Sequence, residues 1–427
     1  MPPDSDRYRR LRRVTYTLGV FAFVLAFFHR VAPGALASDL REAFGASATA
    51  LGFMAALYFY PYAAMQLPSG VLADTIGPRR LFSAGLLVAG VGSVLFGLAP
   101  DVGWLLAGRG LVGFGVAVAF ISVLKLIAAW YREEEFGTWV GVLMMAGNLG
   151  GVLAAAPLAW VIRVVSWREV FVAVGVLSAL LAAAIWAWVR DTPREAGLAP
   201  VSPLPAAKAP AGAATARVTL RVALGRVAAN RDTWPVFCVH LCLIGSYLTF
   251  AGLWAVPYMT DGFALARADA TLHVTLAILA FAAGSVTVGA WSDRMKRRLP
   301  LLRGLSVVFL LCWLPWVLGW NPGGAGLYLV FALMGAGISG ASLAWALAKE
   351  LNPPELAGTS TSLVNTAGFL GTALFQPLVG WVIDRGGANT LEDYRRGAVV
   401  LAGIAAAGVV AAFLVRETGC RNAFTSR

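Results

Sequence analysis

The sequence predicts an all-α membrane protein: twelve transmembrane helices in two six-helix bundles related by a pseudo-two-fold axis. Three observations predict it. Of the 427 residues, 59% are hydrophobic and 13% charged, with a mean hydropathy of +0.73. A water-soluble chain of this length could not hide that much apolar surface. Apolar runs of about twenty residues, enough to cross a bilayer, recur between polar breaks. The chain also reads twice. Ala146-Gly147-Asn148-Leu149-Gly150, followed by Pro157-Leu158 and Trp160-Val161-Ile162, returns as Ala367-Gly368-Phe369-Leu370-Gly371, Pro377-Leu378 and Trp381-Val382-Ile383. Gly70 to Asp74, with Arg79 and Arg80, returns more loosely as Gly289 to Asp293 with Arg294, at nearly the same offset. Parallel repeats in a membrane chain are the mark of a transporter whose halves rock against each other.

The runs are read at 14–37, 50–73, 81–99, 104–130, 137–160 and 170–189, then at 233–258, 271–291, 303–320, 326–348, 358–383 and 397–415. The first has the outline of a secretory leader, with a basic start and Ala35-Leu36-Ala37 at its end. His29 and Arg30 interrupt its apolar stretch, so it is read as the first membrane helix. With the N-terminus inside, the inner segments collect Arg7, Arg9, Arg10, Arg12 and Arg13, then Arg79, Arg80 and Arg132, and later Arg294 to Arg298. Only Arg41, Arg163, Arg168, Arg267, Arg385, Arg395 and Arg396 fall outside. That asymmetry places both termini in the cytosol. It fits a bacterial inner membrane, and a eukaryotic membrane obeys the same rule. The net charge of +12 is thus a topology signal and a contact with anionic headgroups, not a nucleic-acid footprint.

The domain reading follows: a cytosolic arm at 1–13, a bundle at 14–189, a cytosolic linker at 190–232, a bundle at 233–415 and a tail at 416–427. Pro193, Pro200, Pro203, Pro205 and Pro210 make the first part of the linker irregular. Over 215–230, Arg217 and Arg221 stand one turn apart beside Val218, Leu220, Val222 and Leu224. Either a short amphipathic helix on the inner leaflet or a solvated basic linker fits that pattern. The four cysteines have neither metal-ligand nor disulfide spacing. The sequence shows no nucleophile–base set and no phosphate loop, so no metal, cofactor or enzymatic activity is expected.

Three cations fall inside the runs: Arg30 in the first, and Arg109 and Lys125 in the fourth. No Asp or Glu lies well inside any run, and a cation at bilayer centre costs roughly 2.5–3.5 kcal/mol even on the mild scale. A water-filled cavity with fixed positive charge resolves this, and it favours an anionic substrate. Arg30 is the strongest candidate, being far from the basic edge of its helix. Lys125 either snorkels to headgroups or guards the inner half of the pathway.

Gly70-x-x-x-Asp74-x-x-Gly77-x-Arg79-Arg80 resembles the signature loop of the major facilitator superfamily, and Gly289 to Arg298 resembles its weaker second copy. Arg109-x-x-x-Gly113-x-Gly115 and Ser166-Trp167-Arg168-x-x-Phe171 resemble two further motifs of that superfamily. The resemblance covers essentially the whole chain. It implies the fold above, alternating access, and a cytosolic gate of Asp74, Arg79, Arg80, Asp293 and Arg294 that latches one half to the other. Capping of the third helix is the other reading of Asp74, and Thr75 stands where the family carries a basic residue. Phe28-His29-Arg30, Tyr60-Pro61-Tyr62 and Gln66-Leu67-Pro68-Ser69-Gly70 resemble the anion:cation symporter branch. That resemblance implies that Arg30 contacts the substrate's anionic group and that Arg109 braces the fourth helix against the first. His29 and Val116 replace two acids that carry the coupled proton in that branch. His29 is the titratable replacement near the site, with His240 and then His273 behind it. A plain hydrogen-bonded role fits each of these histidines as well.

The polar lining completes the expectation. Asn365, Phe369, Thr372 and Gln376 share one helix face by their spacing. Tyr58 and Tyr62, with Gln66 beyond, share another, as do His240 and Tyr247, and Asn148 stands in the fifth run. The candidate substrate set is therefore Arg30, Tyr58, Tyr62, Lys125, Asn148, Tyr247, Asn365 and Gln376; helix packing is the alternative for the neutral members. The expected activity is secondary transport of a small organic anion, a carboxylate or sugar acid, by a monomer. Symport with H+ or Na+ and exchange for a counter-anion both fit. Organophosphate exchangers of the family use a second Arg in helix 7, where this chain places Thr249 opposite Arg30. A transporter of a larger amphipathic solute (a drug or siderophore) and a non-transporting sensor are the alternatives.

Overall fold

The computed structural model describes residues 6–199, 220–387 and 389–424, which are helical throughout with no strand. The first bundle is built of α1 (Asp6–Phe44), α2 (Ala48–Thr75), α3 (Pro78–Gly97), α4 (Val102–Trp130), α5 (Glu133–Leu153, continued by Ala156–Val161) and α6 (Trp167–Trp188). The second is built of α7 (Thr233–Gly262), α8 (Arg267–Met295), α9 (Leu299–Leu318), α10 (Gly323–Glu350), α11 (Ala357–Asp384) and α12 (Leu391–Leu414). Eleven of the described helices are long and apolar enough to cross a membrane. Helix α2, 28 residues long and carrying Pro61 and Pro68, lies among them as the twelfth.

The helix starts are written in short-range chemistry. Ser47 accepts from Ala50 N at 3.2 Å, Asp101 accepts from Trp104 N at 3.1 Å, and Ser166 forms a capping box with Glu169. Thr390 and Asp393 form the same box at α12, the counterpart of α6. Gly77, with φ 91°, turns the chain into Pro78 at the first position of α3. Packing is close where glycines face each other. A Cβ on Gly92 would sit 2.7 Å from the Gly108 carbonyl, so α3 and α4 touch at backbone distance. Three π-helical turns, His240–Ile244, Phe250–Trp254 and Tyr258–Gly262, interrupt α7.

Both described chain ends lie on one face, here the terminal face; the other is the distal face. The two bundles join distally. A continuous apolar core runs from Phe28, Leu36, Leu51 and Phe171 of the first bundle into Trp254, Phe309 and Trp316 of the second. By contrast, Phe82, Leu126, Trp130 and Leu143, toward the terminal face of the first bundle, form a core of their own. Helices α2 and α11 make a long antiparallel seam, α1 crosses α7, and α5 meets α8.

Helix α1 already includes Asp6, so Arg7 to Arg13 of the cytosolic arm are helical. Within the linker, Pro193–Ala196 is a single 3-10 turn, with Leu198 buried on the first bundle. Leu220–Ala229 is a helix whose Ala223 and Val227 are buried with Leu356. It docks on the second bundle through this face, while Arg221 stays exposed. Pro200, Pro203, Pro205, Pro210, Arg217 and Val218 lie outside the described residues.

Candidate functional site

The site is built where α1, α2 and α11 meet. Arg30 sits one turn after Phe27 on α1, and its guanidinium carbon lies 4.3 Å from the Phe27 ring, 5.4 Å from Tyr62 and 5.1 Å from Phe369. Helix α2 presents Tyr58, Tyr62 and Gln66 at one-turn intervals. Tyr58 donates to the Ala26 carbonyl at 3.0 Å and stacks on Tyr62 at 5.8 Å. From the second bundle, Phe369 reaches within 4.4 Å of the Tyr62 ring, and Asn365 donates to Gln66 Oε1 at 3.1 Å. Among the described residues no carboxylate pairs with Arg30, and its Nε is buried without a hydrogen-bond partner. The result is one cation in an aromatic box spanning both halves.

Arg109 lies behind this box. It is buried, its Nη1 donates to the His29 carbonyl at 2.6 Å, and its guanidinium carbon stands 4.7 Å from the Tyr58 ring. It thus touches α1 from α4, with Tyr58 between it and Tyr62, while its Nε and Nη2 are buried without a hydrogen-bond partner. His29 faces away from the box, toward Phe171 of α6, with both ring nitrogens buried and unpartnered. His240 is also buried, 5.6 Å from Trp345 and pressed against Gly368.

The structure parts the remaining expected residues. Lys125 is not in the box: it pairs with Asp74, which corrects the expectation that the three cations inside the runs lack carboxylates. The partner was hidden because Asp74 ends α2 and Lys125 lies two helices later. Tyr247 points into the second bundle, 5.6 Å from Phe281, so it is not on the lining. Asn148 spends its amide on the Met144 carbonyl at 2.9 Å, one turn back in its own helix. Gln376 is buried farther along the seam; its carbonyl oxygen accepts from Trp254 Nε1 at 3.2 Å, while its side-chain Oε1 has no partner.

The expected latch across the halves is not formed in this structure, where the gate residues bond within their own halves. Arg79 N donates to Asp191 at 2.5 Å, and Arg298 pairs with Asp293 at 2.6 Å and Glu350 at 2.7 Å. Arg80 and Arg294 are exposed. A cavity of about 830 Å³ opens here on the terminal face, lined by first-bundle residues including Asp74, Arg79, Arg80, Lys125, Asp191 and Glu195. Burial pushes the Asp191 carboxyl above its ordinary value, against the pull of Arg79. Glu417 is its counterpart, accepting from Arg298 N and Leu299 N at 2.9 Å each. Burial would raise the Glu417 carboxyl, but those donors, with Gly419 N and Thr418 N, outweigh it and hold the group low. A third echo in the sequence signals this pair: Val189-Arg190-Asp191-Thr192 returns as Val415-Arg416-Glu417-Thr418.

The cross-half polar contacts gather distally instead. Arg41 pairs with Asp261 at 3.0 Å and bonds Tyr394 at 3.0 Å, while Arg267 pairs with Asp39 at 2.7 Å. Asp384 accepts from Ala48 N and Thr49 N at 2.8 Å and from Thr49 Oγ1 at 2.5 Å, capping α2 from the other bundle. Sequence reading missed these groups, because each stands at a helix end with nothing local to name its partner.

Two six-helix bundles, joined at one face and meeting around an unpaired cation, define a membrane transport protein rather than an enzyme. The profile of the Major Facilitator Superfamily matches residues 18–376, and the chain belongs to that superfamily. It is 27% identical over 407 residues to the probable sulfoacetate transporter of Cupriavidus necator, covering 92% of each chain. It is 25% identical over 404 residues to the glycerol-3-phosphate transporter of Bacillus subtilis, covering 88% of this chain and 87% of that one. Its fold matches the crystal structure of a bacterial homolog of the human lysosomal transporter Spinster, with TM-score 0.74 and 18% identity over 99% of both chains.

Proposed function

We propose that this chain is a secondary transporter that carries a small organic anion, a carboxylate or sugar acid, by alternating access, with Arg30 as the anion's anchor. The single observation that carries the reading is Arg30 itself: a cation deep in the membrane, without a carboxylate, at the junction of the two halves. Such a group costs roughly 2.5–3.5 kcal/mol unless water or an anion meets it. The relatives' names, sulfoacetate and glycerol-3-phosphate transporter, support an anionic substrate. The excess of basic residues supports a cytoplasmic terminal face, which fits a bacterial inner membrane. The shared core, which carries the cross-half ion pairs at its distal end, fits a form closed on the distal side.

Importing one negative charge against the membrane potential costs about 2.3 kcal/mol per 100 mV. Uptake therefore needs a co-transported cation, H+ or Na+, or the return of another anion. His29 faces Phe171 rather than the aromatic box, which favours exchange of like-charged anions over proton symport through that residue. Arg30→Ala, in purified protein and in proteoliposomes, tests the reading with a panel of small carboxylates and sugar acids. Loss of a charge-assisted contact of about 1.5–3 kcal/mol should weaken binding roughly 10- to 100-fold and abolish flux. Unchanged binding of a transported anion would remove Arg30 as the anchor.

A further inference from the structure

We propose that Arg41 is a second anion site, at the distal mouth of the pathway. It pairs with Asp261 while the halves are joined there, and takes the anionic head of the substrate when they part. This rests on the anion reading above and extends it from the middle of the membrane to its edge. The ground is the register of α1. Arg30, Gly34, Ser38 and Arg41 stand four, four and three residues apart, which sets them on one stripe of the helix. Eleven residues make about three turns, or about 16 Å. The stripe meets the second half along its length: Arg30 lies against Phe369, a Cβ on Gly34 would stand 2.9 Å from the Gly252 carbonyl, and Arg41 reaches Asp261. Backbone contact at Gly34 leaves no room for an anion between the two cations in this form. Beyond it, Gly34, Ser38, Arg41, Val256, Thr260 and Asp261 border a void of about 10 Å³, the scale of a single water. The stripe is thus plugged in its middle, with a cation at each end.

Arg41 is held by partners that it gives up on opening. Its Nη1 pairs with Asp261 at 3.0 Å, its Nη2 donates to the Tyr394 hydroxyl at 3.0 Å, and Tyr394 donates in turn to Asp261 at 2.7 Å. Asp261 lies near the end of α7 and Tyr394 in the first turn of α12, so both leave with the second half. The Nε of Arg41 is buried without a hydrogen-bond partner even in the closed form. Helix α1 offers no acid in exchange. The residues three and four away are Ala37, Ser38, Phe44 and Gly45, and side chains one or two apart do not face each other. Asp39 is turned instead to Arg267, at 2.7 Å. Opening therefore strips Arg41 of its carboxylate while leaving it in line with Arg30. A carboxylate or sulfonate, the class that Arg30 accepts, replaces Asp261 like for like. The pair with Asp261 is partly exposed and weak, so the exchange is near balance and external substrate favours the open form that it enters.

The test is initial-rate uptake by right-side-out vesicles, which turn the distal face to the medium. The probes are radiolabelled sulfoacetate and D-gluconate, and any further anion of the panel that wild type takes up. Asp261→Asn, Arg267→Gln and Arg41→Gln each remove one cross-half ion pair, so a role in closure alone moves all three the same way. Asp261→Asn, which frees Arg41, should lower KM about threefold, and Arg267→Gln should lower it or leave it unchanged. Arg41→Gln should instead raise KM about three- to tenfold and flatten its dependence on ionic strength, and Arg41→Lys should restore most of both. Uptake at saturating substrate shows which variants are folded and inserted. If Arg41→Gln is not, the exchanged pair of Arg41→Asp with Asp261→Arg keeps the ion pair, moves the cation to the other half, and should still raise KM. A KM that falls in Arg41→Gln as it does in Asp261→Asn, or that rises equally in Arg267→Gln, would overturn the site and leave Arg41 as a closure contact, with binding at Arg30 intact. Wild-type protein that takes up no anion of the panel and binds none in detergent would remove the anion reading itself and this site with it.

Discussion

Asp384 is expected to hold the distal face shut, and Asp384→Asn should release it. Its carboxylate takes three hydrogen bonds from the start of α2, at 2.8, 2.8 and 2.5 Å, across the boundary between the bundles. The amide removes the charge and replaces one acceptor by a donor facing backbone N–H groups. A hydrogen bond to a charged group contributes about 1.5–3 kcal/mol, and a negative charge at a helix N-terminus adds about 0.3–1 kcal/mol. With one acceptor retained, a net loss of about 2–3 kcal/mol follows. That is roughly a 30- to 140-fold shift in the equilibrium between distally closed and distally open forms. If the open form is about 1% of wild type, the variant would hold about 20–60% of it. The Arg41–Asp261 pair, with side chains 24% and 29% exposed, is worth only about 0.2–1 kcal/mol, so the helix cap dominates. The assay is a distance measurement between spin labels at Glu42 and Arg385, both exposed at the distal face, in protein whose four cysteines have been replaced. A second, longer distance population in Asp384→Asn is the expected result. A folded variant with the wild-type distribution would refute the reasoning, because the cap would then contribute nothing to closure.

Two other expectations separate structural charges from the site. Lys125→Met should change the unfolding temperature in detergent only slightly, since its partner Asp74 is 73% exposed and exposed pairs contribute about 0–1 kcal/mol; anion binding should be untouched. Glu417, held below its ordinary value of 4.5 by backbone donors that outweigh burial, docks the tail on the start of α9. A depressed acid contributes stability that is present above the undocked value and lost as pH falls through the docked one. Hydrogen exchange of residues 416–424 should therefore accelerate as pH drops below about 4.5, and Glu417→Gln should be fast at every pH.

Much of this architecture is legible along the chain because it is local. Apolar run length places the helices, and Ser166 with Glu169 or Gly77 with Pro78 announces a helix start within four residues. The basic residues and the Ala-Gly-x-Leu-Gly echo give orientation and duplication for the same reason. Arg30 stands out as a cation in an apolar run, and the structure places it at the junction of the halves. Tyr58 and Tyr62 gather close to it by helical spacing, and Asn365 meets Gln66 along the same seam. The same spacing misled at Tyr247, whose face of α7 turns to Phe281, because periodicity defines a face without saying which neighbour it meets.

Composition, periodicity and repeat were enough for a two-bundle membrane transporter with one candidate anchor, since lipid imposes those constraints residue by residue. Partnership was decided elsewhere. Lys125 with Asp74, Asp384 on the start of α2, and Phe369 over Arg30 join residues from 51 to more than 300 positions apart. Such pairings depend on which helix ends meet when the bundles close, and a charge or ring carries no local mark of its distant partner.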